Sequence, residues 1–203
     1  MAVGSSGRYL YAVSQLKRPL IDLAPTDLVY GFITEVGLVH RAGLLDVIDI
    51  ERWANGQGSP IVAEVLAGCS PVRVVPDGAE VNIWVSARES NEVIGFNLAS
   101  LLAGSSAPLA AATVGPSPVG IALVGDENYV LVVNSNRFGN TTAPQTATLL
   151  HITSGGETLS TVSYQTGGFP RELAVSPSGL TAYVIDNGSS EITVIDLTKL
   201  KAR

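Results

Sequence analysis

The stretch Gly167-Gly168-Phe169-Pro170-Arg171-Glu172-Leu173-Ala174-Val175-Ser176-Pro177-Ser178-Gly179, continued by Thr181-Ala182-Tyr183-Val184-Ile185-Asp186 and Glu191-Ile192-Thr193-Val194-Ile195-Asp196, decides the fold. It holds three short apolar runs rich in β-branched and aromatic residues. Each run ends in turn formers, which marks strands rather than helices. Its opening Gly-x-x-Pro recurs at Gly68-Cys69-Ser70-Pro71 and Gly115-Pro116-Ser117-Pro118, a period of roughly 50 residues that signals an internal repeat. Laid from their prolines without gaps, the first and last copies place Val74 near Leu173, Trp84 on Tyr183, Ser90 on Ser189, Glu92 on Glu191, Phe96 on Ile195 and Asn97 on Asp196. The middle copy places Leu131-Val132 on Trp84-Val85, then takes extra residues before Leu149-Leu150-His151-Ile152 falls on Val194-Ile195-Asp196-Leu197. Trp84, Leu131 and Tyr183 are therefore expected to share one strand position and to be buried between units.

Working outward, strand A of each unit is expected at Val72 to Val75, Val119 to Val124 and Arg171 to Ser176. Strand B follows at Val81 to Ser86, Tyr129 to Asn134 and Thr181 to Asp186, and strand C at Glu92 to Asn97, Thr148 to Ile152 and Glu191 to Asp196. An outer strand D precedes each Gly-x-x-Pro, at Ile61 to Leu66, Leu109 to Val114 and Leu159 to Tyr164. Four antiparallel strands in 40 to 50 residues is the pattern of a β-propeller blade. Before the first Gly-x-x-Pro, Tyr9 to Val13 reads as strand B and Leu44 to Ile50 as strand C, with an insertion between them in which Val29 to Val39 reads as an extra hairpin. The chain is thus expected to be all-β, an incomplete propeller arc of about four blades, two full and two partial: a partial blade over 1–66, blades over 71–114 and 118–164, and a partial blade over 170–197. Rings usually need four to eight blades, so both ends of the arc are open and expose apolar faces and unpaired strand edges. Self-association as a homodimer, or a missing upstream half in the same polypeptide, would cover them.

Composition sets the outer limits. Of 203 residues, 46% are hydrophobic and only 15% charged, enough to bury a core. Gly 21 and Pro 11 give the turn density of many short strands. Lys plus Arg is 12 against 18 Asp plus Glu, a net charge of −6, so a general nucleic-acid binder is excluded for want of a basic surface. Cys69 is the only cysteine, and His40 and His151 the only histidines. These supply neither a disulfide nor a cysteine or three-histidine metal centre, and no cofactor motif is present. The residues between Glu92 and Asp126 carry no charge, but Gly104-Ser105-Ser106, Pro108 and Gly115-Pro116-Ser117-Pro118 interrupt them before the ~18 apolar residues a spanning helix needs. Met1 to Gly7 lacks the basic start and apolar run of a signal peptide.

The run Gly168 to Gly179 with Ala182-Tyr183-Val184 and Ile192 to Asp196 resembles the repeat of YVTN, or YncE-like, propellers and of the seven-bladed lactonase-like propellers. Gly68 to Arg73 with Trp84-Val85 and Ala87 to Asn91, and Val133-Asn134-Ser135-Asn136-Arg137-Phe138, resemble further blades of that group. The likeness runs from about Leu44 to Leu197. It speaks to fold, since repeat motifs encode turns and packing, and much less to activity.

In a blade wound A down, B up, C down and D up, the D-to-A corners and the B-to-C loops share one face. That face is expected to collect Ser70, Arg73, Arg88, Glu89, Asn134, Asn136, Arg137, Arg171, Glu172, Asp186 and Asn187 around one mouth. Its arginines suit a carboxylate or phosphate held by bidentate hydrogen bonds. The competing structural reading is that Arg and Glu after the proline pair across neighbouring blades, and that Asp186-Asn187 shapes a turn. His151 takes the slot of Asn97 and Asp196 and reads as a strand-end residue, His40 as solvated, and Cys69 as a small corner residue with nothing to activate it. The leading expectation is a non-enzymatic propeller segment that binds a small anionic molecule or a protein partner on its loop face. The alternative, implied by the lactonase-like resemblance, is a sugar-lactone hydrolase in which arginines hold the substrate and Glu89 or Glu172 activates water.

Overall fold

The computed structural model describes residues 1–15, 42–137, 145–153 and 158–200. They form four antiparallel sheets, each a meander of strands in chain order. The first sheet comprises β1 (Ala2–Val3), β2 (Tyr9–Gln15), β3 (Ala42–Asp49) and β4 (Ile61–Cys69); the second β5 (Pro71–Pro76), β6 (Asn82–Ala87), β7 (Glu92–Asn97) and β8 (Ala110–Thr113). The third comprises β9 (Pro118–Val124), β10 (Tyr129–Asn134), β11 (Thr146–Ile152) and β12 (Thr158–Gln165); the fourth has only β13 (Pro170–Val175), β14 (Thr181–Asp186) and β15 (Glu191–Asp196). The chain is an incomplete β-propeller of four blades. One strand differs from the sequence reading: Ala2–Val3 pairs with β2, so strand B of the first blade does have an inner neighbour. Two residues are too few to show a period. The expected hairpin at Val29 to Val39 and His40 lie outside the described residues.

The sheets stack face on face, and the strand-B registers show how. Tyr11 opposes Val47, Trp84 opposes Gly95, Leu131 opposes Leu149 and Tyr183 opposes Val194, so these four residues hold one slot. Each slot residue points towards the next blade, and its predecessor in sequence points towards the previous one. Tyr11, Leu45 and Val47 of the first blade pack with Ile83, Val85 and Phe96 of the second. Trp84 and Val93 pack with Val130, Val132 and Leu150, and Leu131, Val133 and Leu149 pack with Ala182, Val184 and Ile195. The middle strands β6 and β10 are therefore buried on both faces, whereas β14 alternates buried and exposed. Burial of Tyr183 is thus corrected: Tyr11, Trp84 and Leu131 are at most 1% exposed, but Tyr183, on the outer face of the last described blade, is 44% exposed.

The repeat's punctuation has a steric cause. The first glycine of each Gly-x-x-Pro lies against the last residue of strand B in its own following hairpin. A Cβ on Gly68 would sit 2.6 Å from the Ala87 Cβ, one on Gly115 2.6 Å from the Asn134 Nδ2, and one on Gly167 2.9 Å from the Asp186 Cβ. Among the described residues, helix is confined to short turns after strand C: α1 (Ile50–Ala54), α2 (Leu98–Leu102) and a 3₁₀ turn at Thr198–Leu200. Asp49, Asn97 and Asp196 cap them, each accepting a backbone N–H at 2.9 to 3.0 Å. The strand-end slot read from the sequence is thus a capping slot. His151, its occupant in the third blade, instead stacks on Tyr129 across the β10–β11 pair, with ring centroids 4.8 Å apart.

Candidate functional site

Strand A of each later blade begins at the proline, and there the pairing slips by a residue. Pro71 opposes Ala87 while Arg73 opposes Ser86, and Pro170 opposes Asp186 while Glu172 opposes Ile185. The extra residues, Val72 and Arg171, form bulges that turn side chains away from the regular pleat. The residue before each proline adopts a left-handed backbone: Ser70 at φ 50°, Ser117 at 53° and Phe169 at 52°. Serine tolerates that conformation more readily than phenylalanine, for which it is an outlier.

These corners and the B-to-C loops meet around one cavity of about 50 Å³. The second blade contributes Val72, Arg73 and Arg88, the third Val119, Ser135 and Arg137, and the fourth Phe169, Arg171 and Glu172. Four arginines thus face a single glutamate. Arg73 Nη2 donates to Glu172 Oε1, and both side chains are 44% exposed. The two residues occupy the same slot, two places after the proline, in blades that are not neighbours. The third blade places Gly120 in that slot. A Cβ there would lie 3.0 Å from the Arg171 carbonyl oxygen and 3.1 Å from the Glu172 Cα, so the missing side chain leaves room for the ion pair to cross the intervening blade. The Arg171 guanidinium lies 5.7 Å from the centroid of the Phe169 ring, a cation–π distance. Burial lowers the Arg88 pKa; Glu89 opposes that shift and Arg137 adds to it, so two cations repel each other across this mouth.

The other expected site residues lie apart from the cavity lining. Asn134 is buried and donates to Thr146 Oγ1 at 2.9 Å and Thr148 Oγ1 at 2.8 Å. Asp186 is buried in the matching position and accepts from Thr193 Oγ1 at 2.6 Å. Both tie strand B to strand C beneath the corner. Asn136 is buried at φ 48°, with its N–H donated to the Pro116 carbonyl at 3.0 Å. Asn187 donates its N–H to the Phe169 carbonyl at 3.1 Å, fixing the corner. Ser70 is fully buried, and Glu89 lies in the loop that donates its N–H to the Cys69 carbonyl. Burial raises the Cys69 thiol pKa, with Ser90 opposing and Glu89 and Glu92 adding to the rise. Sequence reasoning missed Phe169, Ser135, Val72 and Val119. A signal for Phe169 was present, since a bulky ring stands where both sister corners have serine. Among the described residues, no three or more His, Cys, Asp or Glu cluster as a metal site, and no helix is long and apolar enough to cross a membrane.

No protein-family model and no curated protein matches the sequence. Solved structures do. A functionally unknown protein from Desulfotomaculum acetoxidans superposes with a TM-score of 0.63 at 16% identity, covering 100% of this chain and 52% of that one. The periplasmic gluconolactonase of Pseudomonas aeruginosa gives a TM-score of 0.58 at 14% identity over 77% of this chain and 46% of that one. The β-propeller domain of Cps50 (Swd1) from Myceliophteria thermophila gives 0.54 at 11% identity over 78% and 50%. The chain is similar in fold to β-propellers and spans about half the length of these neighbours. At such identities the likeness carries the fold alone.

Proposed function

We propose that the arginine-lined mouth binds a small anion bearing a carboxylate or phosphate, and that the segment acts as a binding propeller without chemistry of its own. The observation that carries this is the convergence of Arg88, Arg137 and Arg171 with the Phe169 ring on one cavity, supplied by three blades. Planar guanidinium groups match carboxylate and phosphate geometry, and a partly buried setting strengthens each contact. The carboxylate among the lining residues, Glu172, is engaged by Arg73 and is thereby drawn away from the role of a base that activates water. Calorimetric titration with inorganic phosphate and with citrate at low ionic strength tests the reading. Binding is expected to weaken about tenfold or more in Arg137→Ala. An affinity equal in wild type and in an Arg137→Ala, Arg171→Ala double variant contradicts it.

A second reading is favoured by the likeness in fold to the periplasmic gluconolactonase of Pseudomonas aeruginosa and by the lactonase-like repeat. Here the mouth holds a sugar lactone while Glu172, released from Arg73 by the substrate, activates water. A lactone-hydrolysis assay separates the two. Turnover lost in both Arg171→Ala and Glu172→Ala supports hydrolysis, and no turnover above background in the wild type contradicts it.

A further inference from the structure

Neighbouring blades of this chain are joined by apolar faces and by clasps at the turns before strand B. In those clasps Glu80 accepts from the Ser6 N–H and from Tyr11 Oη, and Glu127 from the Gly78 N–H at 2.8 Å. The Arg73–Glu172 pair does something else: it runs from the second blade to the fourth, across the third, at the mouth of the arginine-lined cavity. Both side chains are 44% exposed, and an ion pair so open to water contributes little to stability. Its consequence for the cavity is larger. The Glu172 carboxylate is an anion already seated on one of the arginines of the mouth, where the oxygens of a bound ligand would sit.

The charges around it set what can replace it. Among the described residues the cavity is lined by four positive groups, Arg73, Arg88, Arg137 and Arg171, against the one negative charge of Glu172. Glu89, next to Arg88, adds a second negative charge, which leaves two positive charges over. Burial lowers the Arg88 pKa, Glu89 opposes that shift and Arg137 adds to it, so an incoming anion relieves a repulsion already present. A monoanion leaves one of the surplus charges unmatched. A dianion matches both.

We infer, on the anion-binding reading of this mouth, that the site takes a phosphate-type dianion and that Glu172 is its built-in competitor: the ligand displaces the Glu172 carboxylate from Arg73 and takes that guanidinium as one of its own contacts. Replacing one carboxylate by another at Arg73 leaves the contact the same in kind while the ligand loses its freedom in solution, so a monocarboxylate gains little. A phosphate group brings more charge and offers oxygens to more than one guanidinium at once. Glu172, already half in water, is solvated once it turns outwards.

The test combines calorimetric titration with the Arg73 Nε–Hε signal in heteronuclear NMR, on the full 203-residue chain at low ionic strength and about pH 8, where phosphate is mainly a dianion. Wild type is expected to bind inorganic phosphate at least about tenfold tighter than acetate. Glu172→Gln removes the competitor and should tighten phosphate about tenfold, as one charged hydrogen bond does. Glu172→Asp keeps the charge but is one methylene shorter, and should show most of that gain, because contact with Arg73 rather than nearby charge opposes the ligand. The Arg73 signal should start at different positions in wild type and Glu172→Gln and converge on one position at saturating phosphate. Saturable phosphate binding with an unmoved Arg73 signal, and with Glu172→Asp equal to wild type, overturns the competitor and leaves the anion site standing. Acetate bound as tightly as phosphate overturns the dianion. No saturable binding in wild type or in either variant overturns the anion-binding reading itself, and this inference with it.

Discussion

Gly95 lies opposite Trp84 on the neighbouring strand, and a Cβ there would come within 2.6 Å of the Trp84 Cζ3. The indole is 1% exposed and has no room to retreat, so Gly95→Ala is expected to destabilise the chain by about 1 to 3 kcal/mol through overpacking, read from urea unfolding midpoints. Asp46 gives a pH-dependent counterpart. Burial, and then the charge of Glu64 directly opposite, raise its pKa above the ordinary aspartate value. The folded state then holds the proton more tightly than the unfolded state, and stability falls as pH rises through the folded pKa. Asp46→Asn should accordingly raise the melting temperature at pH 7 and leave it little changed at pH 3. A melting temperature lowered at pH 7 would show that the carboxylate is stabilising. At this scale the sequence was readable where a residue type is demanded locally, as at the Gly-x-x-Pro corners. It was opaque where the demand comes from a distant strand, as for Gly120, whose reason is the Arg73–Glu172 pair crossing over it.

The strand-B slot carries the same residue class into different surroundings, and only the neighbouring element decides its energetic worth. Trp84→Ala should cost about 3 to 5 kcal/mol, as for other buried aromatic truncations. Tyr183→Ala, in the same register but on an open face, should cost less than about 1 kcal/mol in the monomer. Equal costs in denaturant titrations would mean that something covers the last blade. Strands β6, β7, β10, β14 and β15 were legible to within a residue, because alternating or continuous apolar runs ended at clear turns. β1 was not, since two residues have no period, and the helical turns at α1 and α2 were hidden because five residues are too few to show a 3.6-residue periodicity. The strand bulges at Pro71 and Pro170 were also invisible in sequence, although they carry Arg171 to the mouth.

Across the whole molecule a chain of net charge −6 gathers four arginines at a single opening while Arg8 and Arg52 stand elsewhere in the fold, Arg8 beside Asp49. The gathering was foreseeable from topology, because D-to-A corners and B-to-C loops must share a face. The separation of true lining residues from the buried Asn134 and Asp186 was not, because both kinds are polar and lie at the same end of the blades. The account rests on that cluster acting as one anion site, where cations gathered in a cleft raise the local concentration of an anion. The most direct measurement is a titration of inorganic phosphate followed by the arginine Nε–Hε signals in heteronuclear NMR at low ionic strength. The account predicts that Arg88, Arg137 and Arg171 shift together along one saturable curve while Arg8 and Arg52 stay still. Small, unsaturable shifts of equal size at all of these arginines would contradict it.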